Sequence, residues 1–141
     1  MPTTRSPEET MRLAENLAKS INSPVCIALF GELGAGKTVF VKGLAKGFGI
    51  DDVIKSPTFV LMRSYSGRMN LHHIDLYRIQ KGEEFLPFEE TLMEDGIIAI
   101  EWAERAETFL PEKRIDVSFK ILAENNREIL VNDNRNCCLL Y

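Results

Sequence analysis

The sequence predicts an α/β domain, and three features carry that prediction. Val25 to Phe30 is a continuous apolar run, the pattern of a strand buried on both faces of a parallel sheet, and it leads through a glycine-rich loop into a helical stretch from Thr38 to Phe48. Ile97 to Ile100 is a second such run, ending on Glu101 and Trp102. The segments Phe59 to Asp75 and Ile115 to Val131 each hold strand-like runs on either side of a turn and read as antiparallel hairpins. At 141 residues, 45% hydrophobic and 27% charged, the chain has the size and composition of one soluble domain, residues 1–141.

The first element is a helix. Ser6, Pro7 and Glu9 supply an N-cap, a first-turn proline and a capping-box acid, and Leu13, Ala14, Leu17, Ala18 and Ile21 form an apolar stripe. Thr10 lies on the edge of that stripe, where a hydroxyl more often bonds back to the helix backbone than to a ligand. Asn22, Ser23 and Pro24 form the loop into the apolar strand.

The loop after that strand, Gly31-Glu32-Leu33-Gly34-Ala35-Gly36-Lys37-Thr38, fits G-x-x-x-x-G-K-[ST] at every fixed position, in the required order of strand, loop and helix. Average residue usage gives roughly one chance match in two hundred chains of this length, and the flanking pattern lowers those odds. Gly31, Gly34 and Gly36 are expected to take positive φ, so that successive N–H groups point into one concavity suited to an anion, facing the positive end of the helix. Lys37 is placed to reach the β- and γ-phosphates of a nucleotide, and the Thr38 hydroxyl to join the shell of a Mg2+ ion.

Gly47 and Gly49 stop the helical pattern, and a polar link leads to Ser56-Pro57-Thr58, an extended loop because proline biases its predecessor away from helix. That loop is either a capped turn entering a strand or, by analogy with other nucleotide-binding proteins, a sensor of the γ-phosphate. Phe59 to Tyr65 and Met69 to Asp75 are strands about a Ser66-Gly67 turn. From Leu71 to Ile79 the alternation puts His73, Asp75 and Tyr77 on one face and His72, Ile74 and Leu76 on the other. Asp75 is either a solvated strand-end acid or one that orients a water or holds the magnesium shell beside a nucleotide. His72 and His73 are adjacent and not spaced to ligate one metal from one face.

Lys81 to Asp95 reads as helical, broken at Pro87. Ile97 to Ile100 ends on Glu101, which a second parallel strand would present beside the loop, making it the best acidic metal ligand. Trp102 either packs at the rim of the core or against a nucleotide or partner. Ala103 to Leu110 reads as a short helix ended by Pro111. Ile115, Val117, Phe119 and Ile121 alternate with polar residues, Asn125-Asn126 turns the chain, and Glu128 to Val131 returns. Arg127 is either an exposed charge or a group reaching the nucleotide. Asn132 to Tyr141 reads as a ragged end.

The net charge of −4 argues against a general nucleic-acid binder. No apolar stretch approaches a membrane span, and MPTTRSPEE has neither a basic nor an apolar leader region, so a cytoplasmic protein with no membrane partner is expected. Cys26 falls in the buried strand, and Cys137 and Cys138 are too few for a zinc or disulfide framework, so none of the three is given a redox role.

Taken together, EETMRLAENLA, GELGAGKTVF, KSPTFVL, HHIDLYRI and the acid-tryptophan pair in AIEWAE resemble the bacterial TsaE (YjeE) family of small P-loop ATPases, in family order and spacing over about the first three quarters of the chain. The resemblance implies a single three-layer P-loop domain with a mixed parallel/antiparallel sheet and flanking helices, binding ATP or ADP with Mg2+. It implies support for TsaB and TsaD, which attach threonylcarbamoyl to an adenosine of tRNA, with tRNA contact indirect. Carried over by motif, the loop Gly31, Glu32, Leu33, Gly34, Ala35, Gly36, Lys37, Thr38 binds phosphate, Thr38 and Glu101 hold magnesium, and Asp75 serves hydrolysis. Ser56 and Thr58 lie in the switch-like loop, Trp102 belongs to the functional pair, and Thr10 and Arg127 align with residues near the nucleotide. Val39 departs from the family, which usually repeats threonine there.

The reaction expected is phosphoryl transfer from ATP to water, with Lys37 and the loop amides stabilising phosphate charge and Asp75 or Glu101 positioning the water. No arginine finger is evident, which predicts slow turnover by the isolated chain. The competing readings are a small-molecule P-loop kinase, for which no arginine-rich lid segment is found, and a nucleotide-gated binding module whose hydrolysis is incidental. A GTPase is disfavoured because no N-K-x-D stretch follows the loop.

Overall fold

In the computed structural model, which describes residues 3–57, 61–79 and 95–135, the apolar run Val25–Phe30 is the middle strand of a seven-stranded sheet. In chain order the elements are β1 (Thr3–Thr4), α1 (Pro7–Lys19), β2 (Val25–Phe30), α2 (Lys37–Gly47), β3 (Met62–Tyr65), β4 (Asn70–Asp75), β5 (Gly96–Glu101), a 3-10 segment (Ala103–Phe109), β6 (Ile115–Ile121) and β7 (Arg127–Asp133). The strand order is β1-β7-β6-β2-β5-β4-β3. Neighbours among β6, β2, β5 and β4 run parallel, and the hairpins β3/β4 and β6/β7 are antiparallel, as the sequence predicts for a mixed sheet.

The apolar runs explain the middle of this sheet. Val25, Ile27 and Leu29 of β2 join Ile97 and Ala99 of β5 and Ile115 and Val117 of β6 in a core under α1 and α2. Cys26, Ala28, Ile98, Ile100 and Ile74 point the other way, into a second cluster closed by Ala103 and Ala106 of the 3-10 segment. A strand buried on both faces has no polar side to alternate with, which is why these runs are continuous. The hairpin strand β6 keeps the alternation, burying Ile115, Val117 and Phe119 while Ser118 and Lys120 face solvent.

Helix α1 begins as its capping sequence dictates: Ser6 Oγ accepts from Glu9 N at 3.1 Å, with Pro7 at the first helical position. Helices α1 and α2 meet closely where side chains vanish. A Cβ on Gly43 would lie 2.2 Å from the Met11 carbonyl, and one on Gly47 would lie 2.5 Å from Ala18 Cβ. Arg68, at the turn of the first hairpin, donates to the carbonyls of Ala18 and Ile21 at 2.9 and 3.0 Å, tying that hairpin to the end of α1. On the hairpin's far edge Ser64, His72 and Asp95 form a chain of hydrogen bonds of 2.8 and 2.9 Å.

Several readings are refined. The short helix predicted after Trp102 is a 3-10 segment, with a kink at Ala106 (φ −125°). Strand β7 extends through Asp133, beyond Val131, because its register with β6 continues to Ile115 and Asp133. Of the strand predicted from Phe59, residues 62–65 form β3, preceded by Leu61 at φ 68°, a left-handed backbone that breaks strand geometry, while Phe59 and Val60 lie outside the described residues. The helix taken as the first element is preceded by Thr3–Thr4, which pairs with β7 as an edge strand. The helix expected over Lys81 to Asp95 lies, up to residue 94, outside the described residues, as do Thr58, Cys137 and Cys138.

Because β2, β5 and β4 are parallel, their carboxyl ends share one edge of the sheet. Phe30, Glu101 and Asp75 therefore come together beside the glycine loop, at the place where open α/β sheets bind ligands.

Candidate nucleotide site

A cleft of about 440 Å³ opens at that edge, lined by the loop from Leu33 to Val39 together with Ser56, Asp75, Tyr77, Glu101 and Trp102. Its floor is the glycine loop. Gly34 and Gly36 have φ of 80° and 100°, and Gly36 caps α2 without a side chain, so the helix start faces the cleft directly. Gly31 departs from expectation, since it is not among the positive-φ glycines. Its requirement is space: a Cβ there would lie 3.0 Å from Phe119 Cβ and 3.3 Å from Ala35 Cβ. Glu32 is exposed, and its carbonyl accepts from Ala35 N at 3.1 Å to close the loop's first turn. Leu33 is 70% exposed at the mouth.

The wall is made of side chains from three parts of the chain. The Thr38 hydroxyl, at the first turn of α2, donates to both Glu101 oxygens at 3.0 and 2.9 Å. Glu101 is buried, and its Oε2 also meets His73 Nε2 at 2.5 Å. Asp75 stands opposite Glu101 in the parallel register of β4 and β5. It is buried rather than solvated, and its Oδ1 accepts from Tyr77 N at 2.8 Å, which turns the chain at the strand's end.

Lys37 is 4% exposed. Its Nζ donates to the Gly31 carbonyl and lies 3.4 Å from the centroid of the Trp102 ring, a cation over an aromatic face. Burial lowers its pKa below the usual lysine value, and the carboxylates of Glu104, Glu101 and Asp75 oppose that shift. Trp102 therefore serves both of its readings. It packs at the rim of the second core cluster and forms a wall of the cleft, held at φ 59° and touching Tyr77 at 5.2 Å between ring centroids. A left-handed backbone at a tryptophan is a strained position, of the kind concentrated at functional sites.

Beside the cleft lies a smaller cavity of about 150 Å³ between α1 and the second hairpin. It is lined by Ser6, Pro7, Thr10, Asn125 and Arg127, and shares Gly34, Gly36 and Val39 with the glycine loop. Thr10 does not bond back to its helix, as a hydroxyl at that edge usually does; its Oγ1 pairs with Thr4 Oγ1 at 2.7 Å because β1 brings Thr4 over it. Arg127 is neither a free surface charge nor remote from the loop: it donates to the carbonyls of Ala123, Glu124 and Asn126 and, at 3.1 Å, to that of Gly34.

The structure thus brings together Lys37, Thr38, Ser56, Asp75, Glu101 and Trp102 in one cleft, and Thr10 and Arg127 in the cavity next to it. Of the cleft's described residues, the sequence reading gave no role to Tyr77, Val39 or the buried partner His73. For His73 and Tyr77 a signal existed, because both alternate with Asp75 along the strand and its continuation.

A glycine loop at a helix start, a threonine bonded to a strand-end acid and a tryptophan after that acid make up the cleft. The family model of the threonylcarbamoyl adenosine biosynthesis protein TsaE matches residues 4–129. A TsaE protein from Treponema pallidum (strain Nichols), named for tRNA threonylcarbamoyladenosine biosynthesis, is 42% identical over 129 residues, covering 90% of this chain and 96% of that one. Its counterpart from Bacillus subtilis (strain 168) is 38% identical over 127 residues, covering 89% and 80%. The crystal structure of Bacillus subtilis YdiB superposes with a TM-score of 0.80 at 33% identity, over 96% of this chain and 86% of the other. The match runs from β1 into the second hairpin and spans every residue just described, and so the chain belongs to the TsaE family of threonylcarbamoyl adenosine biosynthesis proteins.

Proposed function

We propose that this chain binds ATP with Mg2+ in the cleft, hydrolyses it slowly, and through that cycle supports formation of N6-threonylcarbamoyladenosine in tRNA as a partner of TsaB and TsaD. The observation that carries the reading is the contact between Thr38 and Glu101, two hard oxygen donors joined across 63 positions of sequence beside Lys37 and the glycine loop. The triphosphate fits the loop, where Gly34 and Gly36 give an anion access to the start of α2. Thr10 and Arg127 would lie near the nucleotide, in the cavity that shares Gly34 and Gly36 with the cleft.

Thr38 and Glu101 are the residues that would hold Mg2+, which when bound neutralises charge on the β- and γ-phosphate oxygens. Lys37 gives up the Gly31 carbonyl and the Trp102 face for the phosphates, a better partner for an ammonium group than either. Asp75, buried at the cleft wall, orients the attacking water and accepts its proton. No arginine is among the described residues lining the cleft, and Arg105 is engaged by the Ile79 carbonyl at 2.8 Å, so the described lining holds no finger charge. Slow turnover follows, and partners gain a switch whose state is set by the nucleotide.

Calorimetric titration with ATP and Mg2+, paired with phosphate-release assays, tests this. Wild type is expected to bind and turn over slowly, Lys37→Ala to lose roughly 10- to 100-fold in affinity from a missing charge-assisted contact, and Asp75→Asn to bind without turnover. Failure of the wild type to bind ATP would overturn the proposal.

A further inference from the structure

Glu101 is held from two sides, and only Thr38 belongs to the glycine loop. The other support comes from β4. His73 is wholly buried, and its Nε2 lies 2.5 Å from Glu101 Oε2, while its Nδ1 is buried without a hydrogen-bond partner. An ionised carboxylate only accepts, so Nε2 carries the hydrogen and donates, and Nδ1 is left with its lone pair. The placement follows from the sheet: β4 and β5 are parallel with His73 opposite Ala99 and Asp75 opposite Glu101, and His73 shares its face of the strand with Asp75. A large polar ring in a dry interior with one described hydrogen bond, aimed at a carboxylate, is an arrangement that orients that carboxylate.

We infer that His73 is the positioning residue for Glu101. It anchors Oε2, and with it the orientation in which both carboxylate oxygens face the Thr38 hydroxyl, and so sets the metal-binding carboxylate before nucleotide arrives. The inference rests on the reading above, in which Thr38 and Glu101 hold Mg2+. Loss of such an outer-shell partner typically lowers metal affinity about 10- to 100-fold.

The test measures Mn2+ binding to the full chain in the presence of AMP-PNP by electron paramagnetic resonance, together with AMP-PNP affinity in EDTA. His73→Leu fills the space without a donor. His73→Asn carries an amide too short to reach Glu101, and His73→Gln places an N–H near the Nε2 position. The expected result is a roughly 10- to 100-fold weaker Mn2+ affinity for Leu and Asn, recovery of most of it by Gln, and metal-free AMP-PNP affinity unchanged throughout. Mn2+ affinity at the wild-type level in either Leu or Asn would overturn the inference. So would an equal loss of metal-free AMP-PNP affinity, the mark of a merely structural role. Wild type failing to bind AMP-PNP at all is a separate result, which overturns the nucleotide reading and this inference with it. Asn alone decides the question if Leu does not fold.

Discussion

Lys37 shows how one residue can be a liability to the folded chain. Its ammonium is buried against Trp102 and the Gly31 carbonyl, and burial lowers its pKa in the folded chain. Below that lowered pKa the lysine is charged in both folded and unfolded chains, so the folded state bears the full desolvation penalty. As pH rises through the lowered folded pKa toward the unfolded value, the unfolded chain holds a proton the folded one has released, and this contribution to stability rises. Urea midpoints of wild type and Lys37→Met, compared at pH 7 and pH 10 without nucleotide, check this. The wild type should improve relative to the variant at pH 10. A difference that stays constant, or moves the other way, would contradict the burial account. The same logic separates Thr38 from Val39. Thr38 keeps its hydroxyl on Glu101, so the valine next to it, lining both the cleft and the smaller cavity, leaves that pair intact.

At the scale of elements, the site depends on two close fits that the motif does not mention. The first is the contact of α1 with α2 at Gly43 and Gly47, which sets where α2 begins and so where the glycine loop ends. Gly43→Ala would drive a Cβ into the Met11 carbonyl, and overpacking of this kind costs about 1–3 kcal/mol. A lowered melting temperature is the expected readout, and an unchanged one would show that the helices can separate freely. The second is β2, in which Cys26 is buried so that its thiol pKa is pushed up to about 12 from 9.0. Between those values the unfolded thiol ionises while the folded one does not, so stability falls as pH rises above 9.0. With Cys137 and Cys138 replaced by serine, Cys26 should react with a thiol reagent at pH 8 only as fast as the chain unfolds. Rapid labelling of the folded protein would mean that β2 is not the sealed strand described.

At the scale of the molecule, much of the architecture was written in local pattern. The continuous apolar runs of β2 and β5 announced strands buried on both faces, and the alternation of β6 announced a hairpin with one wet face, because each pattern is the direct record of what a strand packs against. A two-residue strand such as Thr3–Thr4 leaves no period to read, and its consequence, the pairing of Thr4 with Thr10, was invisible for the same reason. The glycine loop was legible because its chemistry lies within eight consecutive residues. The Thr38–Glu101 contact is reachable only by supposing two parallel strands side by side, and the adjacency that rules out His72 and His73 as ligands of one metal gives no hint that His73's partner is a carboxylate on the next strand. Long-range partners of this sort are fixed by register, which a single sequence does not print. The measurement that bears most directly on the central claim is multiple-turnover threonylcarbamoylation of tRNA with purified TsaB and TsaD, comparing no addition, this chain and its Lys37→Ala form. Sustained turnover with the intact chain alone is expected, whereas equal product from all three would contradict it.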